Sequence, residues 1–90
     1  MDDAARNVIA SSGYGMYFTH STGHSVGLEI HESPSLSPNC FEYLKCGQIV
    51  TDEPGIYIDG EFGVRIEDML LVTEKGCENL TKCEKSLIII

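Results

Sequence analysis

Apolar and polar residues follow two different periods along this chain of ninety residues. Near the start, Ala4, Ala5, Val8 and Ile9 recur at helical spacing, which predicts a helix over residues 2 to about 12. Asp2 and Asp3 suit its positive N-terminal end, and Gly13 is a stop signal. The apolar stripe requires a partner surface. From residue 13 to residue 27 the chain carries four glycines among Ser and Thr, a composition of irregular backbone. Val26, Leu28 and Ile30 then alternate as in a short strand, and SPSLSPN reads as a connecting loop rich in Pro and Ser.

The second half has the two-residue period. QIVTDEPGIYI predicts a strand interrupted at Pro54 and Gly55, with Asp59 and Gly60 starting a turn. VRIEDMLLV predicts one strand of about nine residues ending at Glu74, Lys75 and Gly76. Alternation places Val64, Ile66, Asp68, Leu70 and Val72 on one face and Arg65, Glu67, Met69 and Leu71 on the other. The tail, SLIII, is expected to be a final strand or helix that must be covered. No repeat or low-complexity tract is present.

Composition narrows the function classes. Fourteen acidic residues against six basic ones leave a net charge of -8, which argues against a nucleic-acid or anionic-membrane surface. No run approaches the roughly 20 apolar residues of a membrane span, and MDDAARNVIASSG lacks the features of a secretory signal. A cytoplasmic, reducing setting is therefore expected. Cys40, Cys46, Cys77 and Cys83 lack the tight spacing of most structural zinc sites and are expected to be free thiols. A chain this short buries only about 60 to 65% of its unfolded surface, so its stability should be marginal.

The chemistry concentrates in three segments, residues 20–32, 51–55 and 64–68. His20, His24 and His31 fall within twelve residues, with Glu32 beside the last. A helix would bring His20 and His24 together, but Ser21, Thr22 and Gly23 are weak helix formers, so a glycine-bordered loop leading into a strand is expected. On a regular strand His24 and His31, seven residues apart, point to opposite faces; a bend or bulge at Gly27 would let them converge. Glu53 precedes Pro54 and Gly55 where a side chain can be aimed at a site, although a turn carboxylate is the plainer alternative. Glu67 lies within an otherwise apolar strand, where a carboxylate needs a cation: either Arg65 as an ion pair, or a metal with Arg65 behind it.

GHSVGLEIHE, DEPGIYI and GVRIED together resemble the C-terminal part of the catalytic domain of the Xaa-Pro aminopeptidase and proline dipeptidase family, the pita-bread metallopeptidases. The similarity runs from DDAARNVI through GYGMYF to LTKCEKSLI. It implies an α+β fold in which residues 1–90 form the C-terminal half of the catalytic domain, a curved antiparallel sheet covered by helix. It implies hydrolysis of the peptide bond before proline, by an aminopeptidase or a dipeptidase. His24, Glu53 and Glu67 match metal ligands, Glu53 also the carboxylate that handles the proton, and Glu67 the one bridging two ions. His20 and His31 match histidines facing the substrate, and Arg65 an arginine behind the ligands. The family's two ligand aspartates lie upstream of anything in this chain, so at most one ion is expected here where a complete site holds two. Manganese is the first expectation for a carboxylate-rich site, with cobalt, zinc and iron also compatible.

The resemblance further implies peptide substrates with proline after the scissile bond. It also implies dependence on the missing N-terminal half or on self-association. Asp52 stands where the family usually has an aliphatic residue, Glu84 where it often has proline, and Ser21 and Ser25 where glycine is common. By alternation Asp52 points away from the site, so its expected cost falls on packing. A rival reading is a non-catalytic remnant that acts as an interaction module through its uncovered sheet edge and apolar surface. A metal-free relative of the creatine-hydrolysing type is disfavoured by His24, Glu53 and Glu67 occurring together.

Overall fold

In the computed structural model, which describes residues 1–90, one helix is followed by seven short strands. Helix α1 spans Asp2–Ser11, close to its expected bounds, and a single 3-10 turn follows at Gly15–Tyr17. Strands β1 (Gly23–Val26), β2 (Glu32–Leu36), β3 (Ile49–Asp52), β6 (Asp68–Thr73) and β7 (Gly76–Asn79) form an antiparallel sheet in the order β2-β1-β3-β6-β7. Strands β4 (Gly55–Ile58) and β5 (Phe62–Arg65) pair separately as a hairpin.

The two sheets belong to one folded ribbon. Asp52 pairs with Asp68 at the end of β3 and β6, and Gly55 pairs with Arg65 at the start of β4 and β5. Both halves of the ribbon lose regular pairing at the same level, over residues 53–54 on one side and 66–67 on the other. Pro54 explains the first interruption, because it has no N–H for a ladder. A weak bond from Ile66 N to Pro54 O, 3.4 Å, spans the gap. The nine-residue strand expected over 64–72 is thus two strands in two sheets, although Val64 and Ile66 still line one groove beside Ile9 of α1 and Leu70 and Val72 still pack together.

Three other expectations are corrected. SPSL is not loop: Glu32–Leu36 is the edge strand β2, where Pro34 sits in an irregularity of the pairing with β1 and no neighbour needs its missing N–H. The strand expected through Ile30 stops at Val26; Leu28 and Ile30 lie in the reversal between β1 and β2, both well exposed. The tail adopts neither strand nor helix, and Leu87, Ile88, Ile89 and Ile90 are exposed, because nothing in the chain offers them a surface.

The core is small. Leu36, Val50 and Leu70 stack across β2, β3 and β6, with Leu44 and Val72 packed against them. Val50 and Leu70 are directly opposed in the ladder. On the helix, by contrast, the buried residue is Asp2, and Val8 of the apolar stripe is 69% exposed. The stripe and Pro54 border an open groove of about 410 Å³, at the edge of which Asp52 lies.

Candidate functional site

The site is built where β1 and the interruption of the ribbon meet. Gly23, the first residue of β1, must be glycine, because a Cβ there would run into the carbonyl of Thr51 on β3. That close approach lets the Thr51 hydroxyl accept the His24 N–H at 3.0 Å. His24 Nδ1 lies 3.1 Å from the Ser25 carbonyl. A carbonyl only accepts, so Nδ1 carries the proton and Nε2 of the neutral ring keeps its lone pair. Nε2 in turn lies 3.6 Å from Glu53 Oε2, with both side chains less than one-fifth exposed.

The chain reverses over residues 27–31, and this brings His31 back onto His24. Their ring centroids are 4.2 Å apart and tilted by 50°. The bend expected at Gly27 therefore exists, but as a reversal between two strands. The Glu32 carboxylate holds it by accepting the Glu29 N–H at 3.0 Å. His31 itself is exposed at the mouth of the group.

His20 belongs to a second group. Its Nδ1 lies 2.7 Å from the Ser21 carbonyl, so again Nδ1 is the donor, and Nε2 accepts from the Tyr57 hydroxyl at 2.8 Å. Tyr57 in turn accepts a long contact from Arg65 Nη1, 3.5 Å. Both ring nitrogens of His20 are thus engaged within the protein. Sequence reasoning did not single out Tyr57. Its one legible signal is the pair of glycines around it: Gly55 would set a Cβ 2.6 Å from the phenol oxygen, and bare Cα positions beside an aromatic mark where a ring lies down on a strand.

Glu67 stands apart. It sits opposite Glu53 and Pro54 in the interruption but is exposed, and it makes no ion pair with Arg65. The cation expected beside it is not supplied by this chain. No three His, Cys, Asp or Glu side chains gather closely enough to hold a metal ion. The donors that do converge, an imidazole nitrogen with its proton fixed on the far side and a carboxylate oxygen, have the chemistry of one flank of a divalent-cation site.

Below the site, two carboxylates are perturbed in opposite directions. Burial raises Asp52 above the ordinary value, and the Asp68 carboxylate opposite adds to the rise. Lys85 Nζ lies 2.8 Å from Asp68 and so offsets only one charge of the pair. Burial would raise Asp2 too, but hydrogen bonds from Arg6 and from the Thr22 amide and hydroxyl outweigh it and hold its carboxyl below the usual range. All four cysteines are free. No helix is long and apolar enough to cross a membrane.

An antiparallel sheet thus carries an imidazole and a carboxylate at a strand interruption, and comparison with known proteins places the chain in a class. Residues 1–74 match the model of metallopeptidase family M24, and the chain belongs to that family. It is 53% identical over 88 residues to an Xaa-Pro dipeptidase of Pyrococcus horikoshii, a match covering 98% of this chain and 25% of that protein. Among solved structures, an Xaa-Pro dipeptidase from Bacillus anthracis superposes with a TM-score of 0.96 at 54% identity, covering 99% of this chain and 25% of that one. An X-Pro aminopeptidase from Thermotoga maritima superposes with a TM-score of 0.93 at 44% identity, covering 99% and 25%. The fold is accordingly a partial pita-bread fold. The chain spans about a quarter of the length of the relatives it matches.

Proposed function

We propose that this chain supplies the histidine and glutamate flank of a metal-dependent peptidase site that hydrolyses the bond before proline, as an aminopeptidase or a proline dipeptidase. The observation that carries the proposal is the approach of His24 Nε2 to Glu53 Oε2, 3.6 Å, with the other nitrogen of the ring tied to a carbonyl. His24 and Glu53 would hold one side of a single divalent ion, with Glu67, exposed across the same interruption, joining only once the ion is bound; manganese comes before cobalt, zinc or iron because carboxylate oxygens favour harder ions. When bound, the ion supplies Lewis acidity. Glu53 takes the proton of the attacking water and passes it to the proline nitrogen. His31, exposed beside His24, donates to the developing oxyanion. His20 faces the substrate from the neighbouring group, with Tyr57 and Arg65 fixing its ring. Peptides ending the scissile bond at proline are the substrates, and the remaining ligands come from outside residues 1–90. The free thiols suit a cytoplasmic, reducing setting.

Calorimetric titration of the chain with manganese tests the reading. The expected result is no more than one ion per chain, with binding abolished in both His24→Ala and Glu67→Gln. Binding that survives both substitutions overturns the ligand assignment.

The alternative, an interaction module without chemistry, draws on the exposed α1 stripe and tail. Saturable binding of a protein partner that is unaffected by His24→Ala and Glu67→Gln, in a chain that takes up no manganese, would favour it.

A further inference from the structure

Asp2 is a charged side chain only 3% exposed, on a helix whose apolar stripe is left open. Its partners account for the burial. Oδ1 accepts both the Thr22 N–H and the Thr22 hydroxyl, each at 3.0 Å, and Oδ2 accepts Arg6 Nε at 2.8 Å. Arg6 then reaches past Asp2 to the loop: Nη1 donates to the Phe18 carbonyl at 3.0 Å and Nη2 to the His20 carbonyl at 2.9 Å. Its guanidinium carbon lies 4.2 Å from the centroid of the Phe18 ring, which meets the His20 ring edge-on at 5.3 Å. Thr22 carries the connection across the site, because its carbonyl accepts the Glu53 N–H at 2.6 Å.

We propose that Asp2 and Arg6 act as a positioning pair that sets the His20 loop and, through Thr22, the backbone of Glu53. The inference rests on the peptidase reading for its purpose but not for its geometry. Residues 18–21 have no ladder to fix them, and the Thr22 amide reaches the sheet only through the Leu36 carbonyl, 2.9 Å, so the Phe18 and His20 carbonyls take their positions from what donates to them. One planar guanidinium donating to two of those carbonyls and to a carboxylate fixes their spacing, which an ammonium could not reproduce. The pair touches neither substrate nor the proposed ion, so its effect is on orientation.

The test is nuclear magnetic resonance of the ninety-residue chain with Asp2→Asn, Arg6→Lys and Thr22→Val. Val50→Ala serves as a control that weakens the core without touching the loop. In the wild type, the His20 ring-nitrogen signals should report one tautomer, with Nδ1 protonated and Nε2 accepting a bond. In Arg6→Lys and Asp2→Asn the expected outcome is averaging of the His20 ring-nitrogen signals between tautomers. Roughly ten-fold faster exchange of the Glu53 amide should accompany it, with the Val50 and Leu70 amides unchanged. Thr22→Val, which preserves side-chain shape, should speed Glu53 exchange while leaving the His20 signals in place, and it keeps the test available should the other two fail to fold. Unchanged Glu53 exchange in folded Thr22→Val, or His20 and Glu53 effects no larger than those of Val50→Ala, would overturn the proposal. Manganese titration of the same samples separates the two claims: a wild type that binds no manganese defeats the metal-site reading, whereas the tautomer and exchange data still decide the positioning pair.

Discussion

At the scale of single residues, Asp52 shows how a local choice is felt. It faces Asp68 across the ladder and borders the groove under Ala4, Ala5 and Val8. Its carboxyl is raised, first by burial and then by Asp68. A raised carboxyl binds its proton more tightly in the folded state, so the folded chain is penalised once pH climbs through that raised value and is relieved as pH falls toward 3.8. Asp52→Leu should therefore stabilise the chain by on the order of 1 kcal/mol at neutral pH, through removal of that penalty and burial of apolar surface against the helix. The gain should shrink near pH 4, and urea unfolding of both proteins at the two pH values measures it. An equal gain at both values would assign the whole effect to packing.

Among the elements, the sheet depends on very few side chains. Leu36, Val50 and Leu70 come from three strands, two of them neighbours of the interruption that carries Glu53 and Glu67. Truncating Leu70 to alanine opens a cavity between β3 and β6 and should cost about 2–5 kcal/mol. In a small domain of marginal stability that is a large fraction of the total. Far-ultraviolet circular dichroism during urea titration should show the whole sheet lost in one transition. Survival of the β4–β5 hairpin signal after the main sheet melts would mean that the two ladders are independent units.

The pattern of residues anticipated these elements unevenly. Helix α1 was legible because spacing, acidic first turn and a terminal glycine agree, and the β4–β5 turn because Asp59 and Gly60 mark it. Strand β2 was hidden by its prolines and serines, which a propensity argument assigns to loops and an edge position tolerates. The break at residues 66–67 had no signal of its own, since it mirrors Pro54 on the partner strand and exists only once the two are paired.

At the scale of the whole molecule, the exposed apolar side chains are the dominant feature. Leu87 through Ile90, Phe41, Tyr43 and the α1 stripe are left facing solvent in a chain with four buried apolar core residues. Surfaces of that kind associate in water. Sedimentation velocity of the isolated chain should show concentration-dependent association in the micromolar range. Removing the last four residues should reduce it several-fold, whereas a monodisperse monomer at all concentrations would mean that the tail finds cover within its own chain.

By itself the sequence determined the chemistry available: three histidines, Glu53 and Glu67 in segments specific enough to point to a metallopeptidase family, and an acidic balance unsuited to nucleic acid. It did so because ligand identity and local backbone signals are properties of neighbouring residues. Only the tertiary structure decided which of those groups meet. His24 joins Glu53 and His31 because β1 pairs with β3 and then reverses, while His20 is drawn off to Tyr57 by a separate hairpin. Glu67 is left exposed across the same interruption. Those outcomes depend on register and pairing between segments up to 37 residues apart, and contacts of that range leave no trace in the local pattern of residues.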